Sequence, residues 1–325
     1  MKSHDSLNRR KLLLAAGAAV GGGAVIGNSM ISAAKPELQP ENTSDFPVRF
    51  ALNMSTIRGQ DLPVDKQIQV AADAGYDGIE PWIGDLKKYV SGGGKLTTLR
   101  SQIDDAGMTV DSAIGFAKWI SNDESTRRSA LEEAKRDMEM VRQIGGSRIA
   151  APPSGASKNA NEIPTLDVIA QRYRALLDVG AETGVVPQLE LWGHSKAISR
   201  LSELAYIAVA AEHPDACVLP DFYHIYKGGS DFAGLGMIEA SRIHCFHIND
   251  YPAEPALAEI RDQHRVFPGD GICDLPGIIR QLVDNGFRGA FSLELFNRDY
   301  WKRDAQQVAN EGLKKSKAVV ESALS

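Results

Sequence analysis

The sequence predicts a (β/α)8 barrel of the TIM type, built as a single domain. Eight apolar, β-rich runs alternate with helical patterns along the chain, and glycines stand where helical segments end shortly before a strand. The length of 325 residues would suit two domains of about 150 residues, but α/β barrels of roughly 250 residues form one. A doubly wound open sheet is the competing architecture. No G-x-G-x-x-G follows the first strand, which argues against it.

At the N-terminus, Asn8-Arg9-Arg10-Lys11-Leu12-Leu13 sets an arginine pair before an apolar stretch over 12–26, and Ser32-Ala33-Ala34 offers small residues for cleavage. Residues 1–34 therefore read as a twin-arginine signal peptide. This implies passage through the twin-arginine export machinery to the periplasm. Gly17, Gly21, Gly22, Gly23 and Gly27 make the stretch a weak membrane helix, and a retained N-terminal anchor is the alternative. Residues 35–47, with three prolines and no periodicity, read as a linker, and the barrel is expected over 48–325.

Strands are expected at 49–57, 77–83, 109–116, 148–152, 185–192, 216–224, 243–250 and 289–296. Between them lie helices such as 125–144, where Leu131, Ala134, Met138, Val141 and Ile144 recur at three and four. Gly75, Gly107, Gly145, Gly184 and Gly286 mark helix ends.

Charge narrows the function. The chain carries 36 Lys and Arg against 42 Asp and Glu, a net charge of -6; without residues 1–34 it would be -9. Such a surface disfavours nucleic acid, whose binding rests on phosphate neutralisation by Lys and Arg. A hydrophobic content of 43% excludes intrinsic disorder. Cys217, Cys245 and Cys273 are odd in number and form no C-x-x-C, so buried, inert thiols are expected.

A barrel places its chemistry at the C-terminal ends of the strands. Period-2 alternation in Gln188-Leu189-Glu190-Leu191-Trp192 and Ser292-Leu293-Glu294-Leu295-Phe296 sends the leucines to the helices and both glutamates inward. Asp221 and His247 face inward on the two strands between. An unpaired carboxylate costs several kcal/mol to bury, so three of them converging with a histidine require a cation. Glu190, Asp221, His247 and Glu294 are the expected metal ligands. Mostly hard oxygen donors favour Mn²⁺, with Mg²⁺, Co²⁺ or Zn²⁺ compatible. Such an ion can hold vicinal oxygens of a hydroxy-ketone and acidify the adjacent C–H by stabilising an enediolate. Glu190 and Glu294 are expected to be the catalytic acid/base pair.

The runs Leu189-Glu190-Leu191-Trp192-Gly193-His194, Leu219-Pro220-Asp221-Phe222-Tyr223-His224, Phe246-His247-Ile248-Asn249-Asp250, His264-Arg265-Val266-Phe267-Pro268-Gly269-Asp270-Gly271 and Leu293-Glu294-Leu295-Phe296 resemble the xylose isomerase-like TIM barrel superfamily of sugar isomerases and epimerases. Within it the likeness is greatest to the inosose isomerase group. The resemblance implies the same four metal ligands. It also implies that His224 and Arg265 contact substrate oxygens and that Glu80 lines the pocket. His194 and Trp192 are expected at the pocket wall, with Trp82, Trp119 and Phe296 as further apolar surface. The alternative for Arg265 is a structural bridge to Asp250 or Asp262. His213 and His244 are expected to be structural.

Two features depart from the superfamily pattern. Lys196 stands where ketose 3-epimerases carry a second glutamate, and an export signal is foreign to cytoplasmic inositol catabolism. The expected function is a metal-dependent isomerase or epimerase of a small sugar or keto-polyol. An exported lyase or epimerase of 3-keto-sugars or 3-keto-glycosides is the alternative, and a sugar-binding protein on an inactive barrel is the non-enzymatic one. An abasic-site endonuclease shares the fold but needs several metals. A homo-oligomer is allowed by the sequence and not specified by it.

Overall fold

The computed structural model describes residues 46–325. The expected signal peptide, and the linker up to residue 45, lie outside the described residues. All eight expected strands form: β1 Arg49–Asn53, β2 Gly78–Glu80, β3 Thr109–Val110, β4 Arg148–Ala151, β5 Val186–Glu190, β6 Val218–Leu219, β7 Cys245–Ile248 and β8 Ala290–Leu293. Each is shorter than the run that announced it, because the C-terminal end of each run turns into the loop that carries polar side chains.

Every ladder is parallel. Five strands pair in the order β3-β2-β1-β8-β7 and three in the order β4-β5-β6. The bridges Val218↔Ile243 and Asp221↔His247 join β6 to β7. On the other side, the Ala150 amide donates to the Ala113 carbonyl at 2.8 Å, beyond the end of β3. The ring is thereby closed as a (β/α)8 barrel.

The helices are α1 Val64–Ala74, α2 Ile83–Ser91, α3 Leu96–Asp105, α4 Glu124–Gln143, α5 Leu166–Thr183, α6 Leu201–Ala210, α7 Phe222–Lys227, α8 Leu275–Asp284 and α9 Ala305–Leu324. Helix α4 begins where Asp123 accepts from the Thr126 amide at 2.7 Å. It buries Ala134, Met138 and Val141, while Leu131 is only half-buried. Gly75 and Gly184 close α1 and α5 at φ 83° and 75°, a region that favours residues without Cβ. Positive φ recurs at Gly107, Gly145 and Gly286.

One expected strand is cut short. The run over 216–224 stops at Pro220, and Asp221 caps α7 by accepting from the His224 amide at 2.8 Å. His224 therefore sits on a helix, not at a strand end. No long helix follows β6; α7 and the 3-10 turns Phe232–Met237 and Ala240–Arg242 fill that interval.

Leu189, Leu191, Leu293 and Leu295 are fully buried in the layer between sheet and helices, as alternation requires. Each such leucine contributes roughly 2 kcal/mol by leaving water. Within the barrel Ile114, Ala150, Leu219 and Cys245 form a small apolar cluster. Cys217 and Cys245 are buried, Cys273 is half-buried, and all three are free thiols.

Candidate metal centre

Four strands deliver the centre. His247 lies on β7, Glu190 ends β5, Glu294 follows β8, and Asp221 stands between β6 and α7. All four are nearly or fully buried. Ligand atoms of Asp221, His247 and Glu294 lie within 4.8 Å of one another. Glu190 is set slightly wider, with its Oε1 3.8 Å from His247 Nδ1.

His247 is oriented from below by Glu80. Three donors converge on one oxygen of that carboxylate: His247 Nε2 at 3.0 Å, Asn53 Nδ2 at 2.8 Å and Ser292 Oγ at 2.7 Å. Burial would raise the Glu80 carboxyl, but the attraction and hydrogen bond of His247, with the hydrogen bonds of Ser292 and Asn53, hold it below its ordinary value. An ionised carboxylate only accepts, so the proton belongs on Nε2. Nδ1 then faces Glu294 Oε2 at 3.3 Å, Asp221 Oδ2 at 3.6 Å and Glu190 Oε1 at 3.8 Å. It is buried and has no hydrogen-bond partner among the described residues. A buried ring nitrogen aimed at three carboxylate oxygens fits a divalent cation, with a carboxylate behind the imidazole as metal-ligating histidines have.

Glu80 is thus not a pocket-lining residue, contrary to expectation. It is fully buried and absent from the cleft wall. The likeness to the superfamily implied a place at the pocket, but the depth of Glu80 in the barrel keeps it below the cleft.

Arg265 forms the other side of the centre. Its Nη1 donates to Asp221 Oδ2 at 2.8 Å and to Glu294 Oε2 at 2.7 Å. Its Nη2 donates to Asp262 Oδ1 at 2.6 Å and lies 3.0 Å from His224 Nε2. The guanidinium is held between rings, 4.5 Å from Tyr223 and 5.1 Å from Phe296. Asp262 is therefore the bridging partner and Asp250 is not. His224 is buried, and desolvation pulls its imidazole down to about 3, so it is neutral.

Asp250 secures the loop that carries Arg265. Its two oxygens accept from the amides of Tyr251 (2.8 Å), Gly269 (3.0 Å), Gly271 (3.1 Å) and Cys273 (3.1 Å). An added Cβ at Gly271 would lie 2.2 Å from Asp250 Oδ1. Asn53, Asn249 and Asp262 also escaped the sequence reading as site residues. Asn249 Nδ2 donates to Asp221 Oδ2 at 3.1 Å while its Oδ1 accepts from the Tyr223 amide at 2.9 Å.

Above the centre opens a cavity of about 620 Å³, counting its mouth, which reaches Glu190, Glu294, His224 and Arg265. Trp82, Trp192 and Phe296 line it as expected, and His194 stacks on Trp192 at 5.6 Å. Phe116 belongs to the same wall. Trp119 does not: it is buried elsewhere, donating to the Pro152 carbonyl at 2.6 Å. His213 and His244 are not among the lining residues either.

The xylose isomerase-like TIM barrel family matches residues 68–319. An inosose isomerase of Bacillus velezensis is 29% identical over 201 residues, spanning 62% of this chain and 71% of that protein. A 3-dehydroshikimate dehydratase of Pseudomonas putida is 22% identical over 250 residues, 77% of this chain but 38% of the larger protein. The solved structure of IOLI protein with a bound zinc atom superposes at a TM-score of 0.77 with 22% identity, covering 84% of this chain and 98% of that one.

Proposed function

The chain belongs to the xylose isomerase-like TIM barrel family, and from that membership we propose that it is a divalent-metal-dependent isomerase or epimerase of a keto-polyol or keto-sugar. The observation that carries the reading is His247 Nδ1, buried, without a hydrogen-bond partner among the described residues and facing Glu190, Asp221 and Glu294. The inosose isomerase relatives support the substrate class, and the zinc atom in the IOLI structure supports a divalent ion. Mn²⁺ is the proposed physiological metal, because three of the four ligands are hard oxygen donors.

Glu190, Asp221, His247 and Glu294 would hold the ion. When bound, it supplies a Lewis acid that polarises a substrate carbonyl and offsets the charge of an enediolate. Glu190 is the group that moves the proton. In the metal-free chain burial, then the like charges of Glu294, Asp221 and Glu80, outweigh the pull of His247 and hold its carboxyl well above the ordinary range. A carboxylate with one oxygen off the ion can take a proton and return it. One Glu190 oxygen accepts from Trp192 Nε1 at 3.2 Å, and the other has no donor among the described residues. Glu294 is more restrained, with Asn53 on one oxygen and Arg265 on the other. It acts as the partner acid/base group across the substrate. His224 and Arg265 orient the substrate oxygens, and the aromatic wall excludes water from the proton transfer.

The reading includes export by the twin-arginine machinery, which rests on Arg9-Arg10 and the apolar run behind them. A second outcome of the same proton abstraction is elimination of a group β to the ketone, which the dehydratase relatives favour. The test is exchange of the C–H next to the carbonyl with solvent deuterium, using inosose or 3-keto-glucose and Mn²⁺. Undiminished exchange in both Glu190→Gln and Glu294→Gln would overturn the mechanism. Product analysis on a 3-keto-glycoside separates epimer from eliminated product.

A further inference from the structure

The cleft above the centre is apolar where a free polyol would need hydrogen bonds. Trp82, Phe116 and Trp192 form a continuous wall, with ring centroids 5.2 Å apart between the first two and 6.2 Å between the second and third. Phe296 extends it, 6.1 Å from Trp82. Phe116 stands at the mouth with 43% of its surface exposed, an unusual state for a large apolar residue beside a polar site.

Both tryptophans commit their only polar atom to a bond within the protein. Trp82 Nε1 donates to Asn53 Oδ1 at 3.0 Å, and Trp192 Nε1 donates to Glu190 Oε1 at 3.2 Å. Indoles fixed in this way offer a ligand their rings and no hydrogen bond. These bonds also tie the wall to the acidic centre, since Asn53 Nδ2 reaches Glu294 Oε1 at 3.2 Å.

The polar lining is largely committed as well. Arg265, Asp262, Glu294 and His224 are bonded to or packed against one another. Apart from His224 and Arg265 at the reacting end, that leaves, among the described residues, the second oxygens of Glu190 and Asp262 and the imidazole of His194 without a hydrogen-bond partner in the polar lining. A free hexose or cyclitol carries four or five hydroxyls, each losing water on entry and needing a partner in return. This cleft has partners for the reacting end of a sugar and few for the rest.

We propose that the substrate is a keto-sugar bearing an aromatic substituent, with its carbonyl end at Glu190, Asp221, His247 and Glu294 and its ring substituent on the wall of Trp82, Phe116 and Trp192. The inference rests on the enediolate reading for the carbonyl end; the placement of the substituent rests on the wall alone. Aromatic rings pack by offset or edge contact at centroid separations like those already present in the wall.

The test compares phenyl and methyl 3-keto-β-glucosides with the full chain loaded with Mn²⁺, reading KM for solvent deuterium exchange at the carbon next to the carbonyl. The phenyl compound is expected to have a KM about tenfold lower, the scale of one good aromatic contact. Phe116→Ala should abolish most of that preference and Phe116→Tyr should keep it. Equal KM values in the parent chain, or a preference untouched by Phe116→Ala, would overturn the proposal. If neither compound exchanges, the enediolate reading fails, and quenching of tryptophan fluorescence decides the substituent separately. Tighter phenyl binding then supports the aromatic site, and equal binding overturns it.

Discussion

His247 Nε2 lies 3.0 Å from Glu80 Oε2, with both side chains fully buried. That contact fixes which imidazole nitrogen carries the proton and leaves Nδ1 directed at the three acidic ligands. It makes Glu80 the residue that tunes the centre without facing the cleft. Glu80→Gln removes the negative charge behind the imidazole while keeping its shape. Affinity for Mn²⁺ is expected to fall about 10- to 100-fold, measured by calorimetric titration of the metal-free chain. An unchanged affinity would mean that Glu80 serves packing alone.

The same contact sets a pH dependence. Burial disfavours a charged imidazole, but Glu294 and Glu80, with Asp221, outweigh it and raise His247 well above its ordinary value in the metal-free chain. A group raised on folding contributes stability that is complete below its unfolded pKa and is lost as pH rises through its folded pKa. The metal-free chain should therefore lose this contribution on the alkaline side. Metal must displace the proton from Nδ1, so affinity should rise with pH until the raised pKa is passed, with proton release on binding. Calorimetry in two buffers of different ionisation enthalpy measures that release; none at neutral pH would contradict the assignment of Nδ1.

Much of this centre was legible because strand alternation is a strict period. Leu189 and Leu191 flank Glu190, as Leu293 and Leu295 flank Glu294, and each leucine pair lies in the outer layer. Alternation does not encode depth along the barrel axis, which depends on the stagger between strands. Glu80 pairs in register with Asn53, and its hydrogen bond to Ser292 places it below Glu294. The likeness to the superfamily, which implied a pocket role for Glu80, carries no information on that depth either. His224 was misplaced because Pro220 and Asp221 end the strand and begin α7 two residues before the apolar run stops. Asp250 was seen only as an alternative partner of Arg265, since a carboxylate that gathers backbone amides leaves no pattern in side-chain chemistry.

Removing the Asp250 carboxylate leaves four amide donors without their acceptor in the loop that carries Arg265. Asp250→Ala should cost about 3 kcal/mol of stability, read by denaturant unfolding. Proteolytic nicking should begin within 265–273, because local opening precedes global unfolding where local bonds are lost. Gly271→Ala should weaken the same loop through its contact with Asp250 Oδ1. Cleavage beginning elsewhere in both variants would place the defect outside this loop.

Glu190 and Trp192 supply the test of which carboxylate moves the proton. The indole N–H donates to Glu190 Oε1 at 3.2 Å and so favours the ionised form. Trp192→Phe keeps an aromatic ring and removes that donor, which disfavours the ionised form of Glu190. The base has to be ionised to accept a proton, so the acid limb of the deuterium-exchange rate should move to higher pH by about half a unit to one unit. The direction is the discriminating feature. A limb that stays in place or moves to lower pH removes Glu190 from that role.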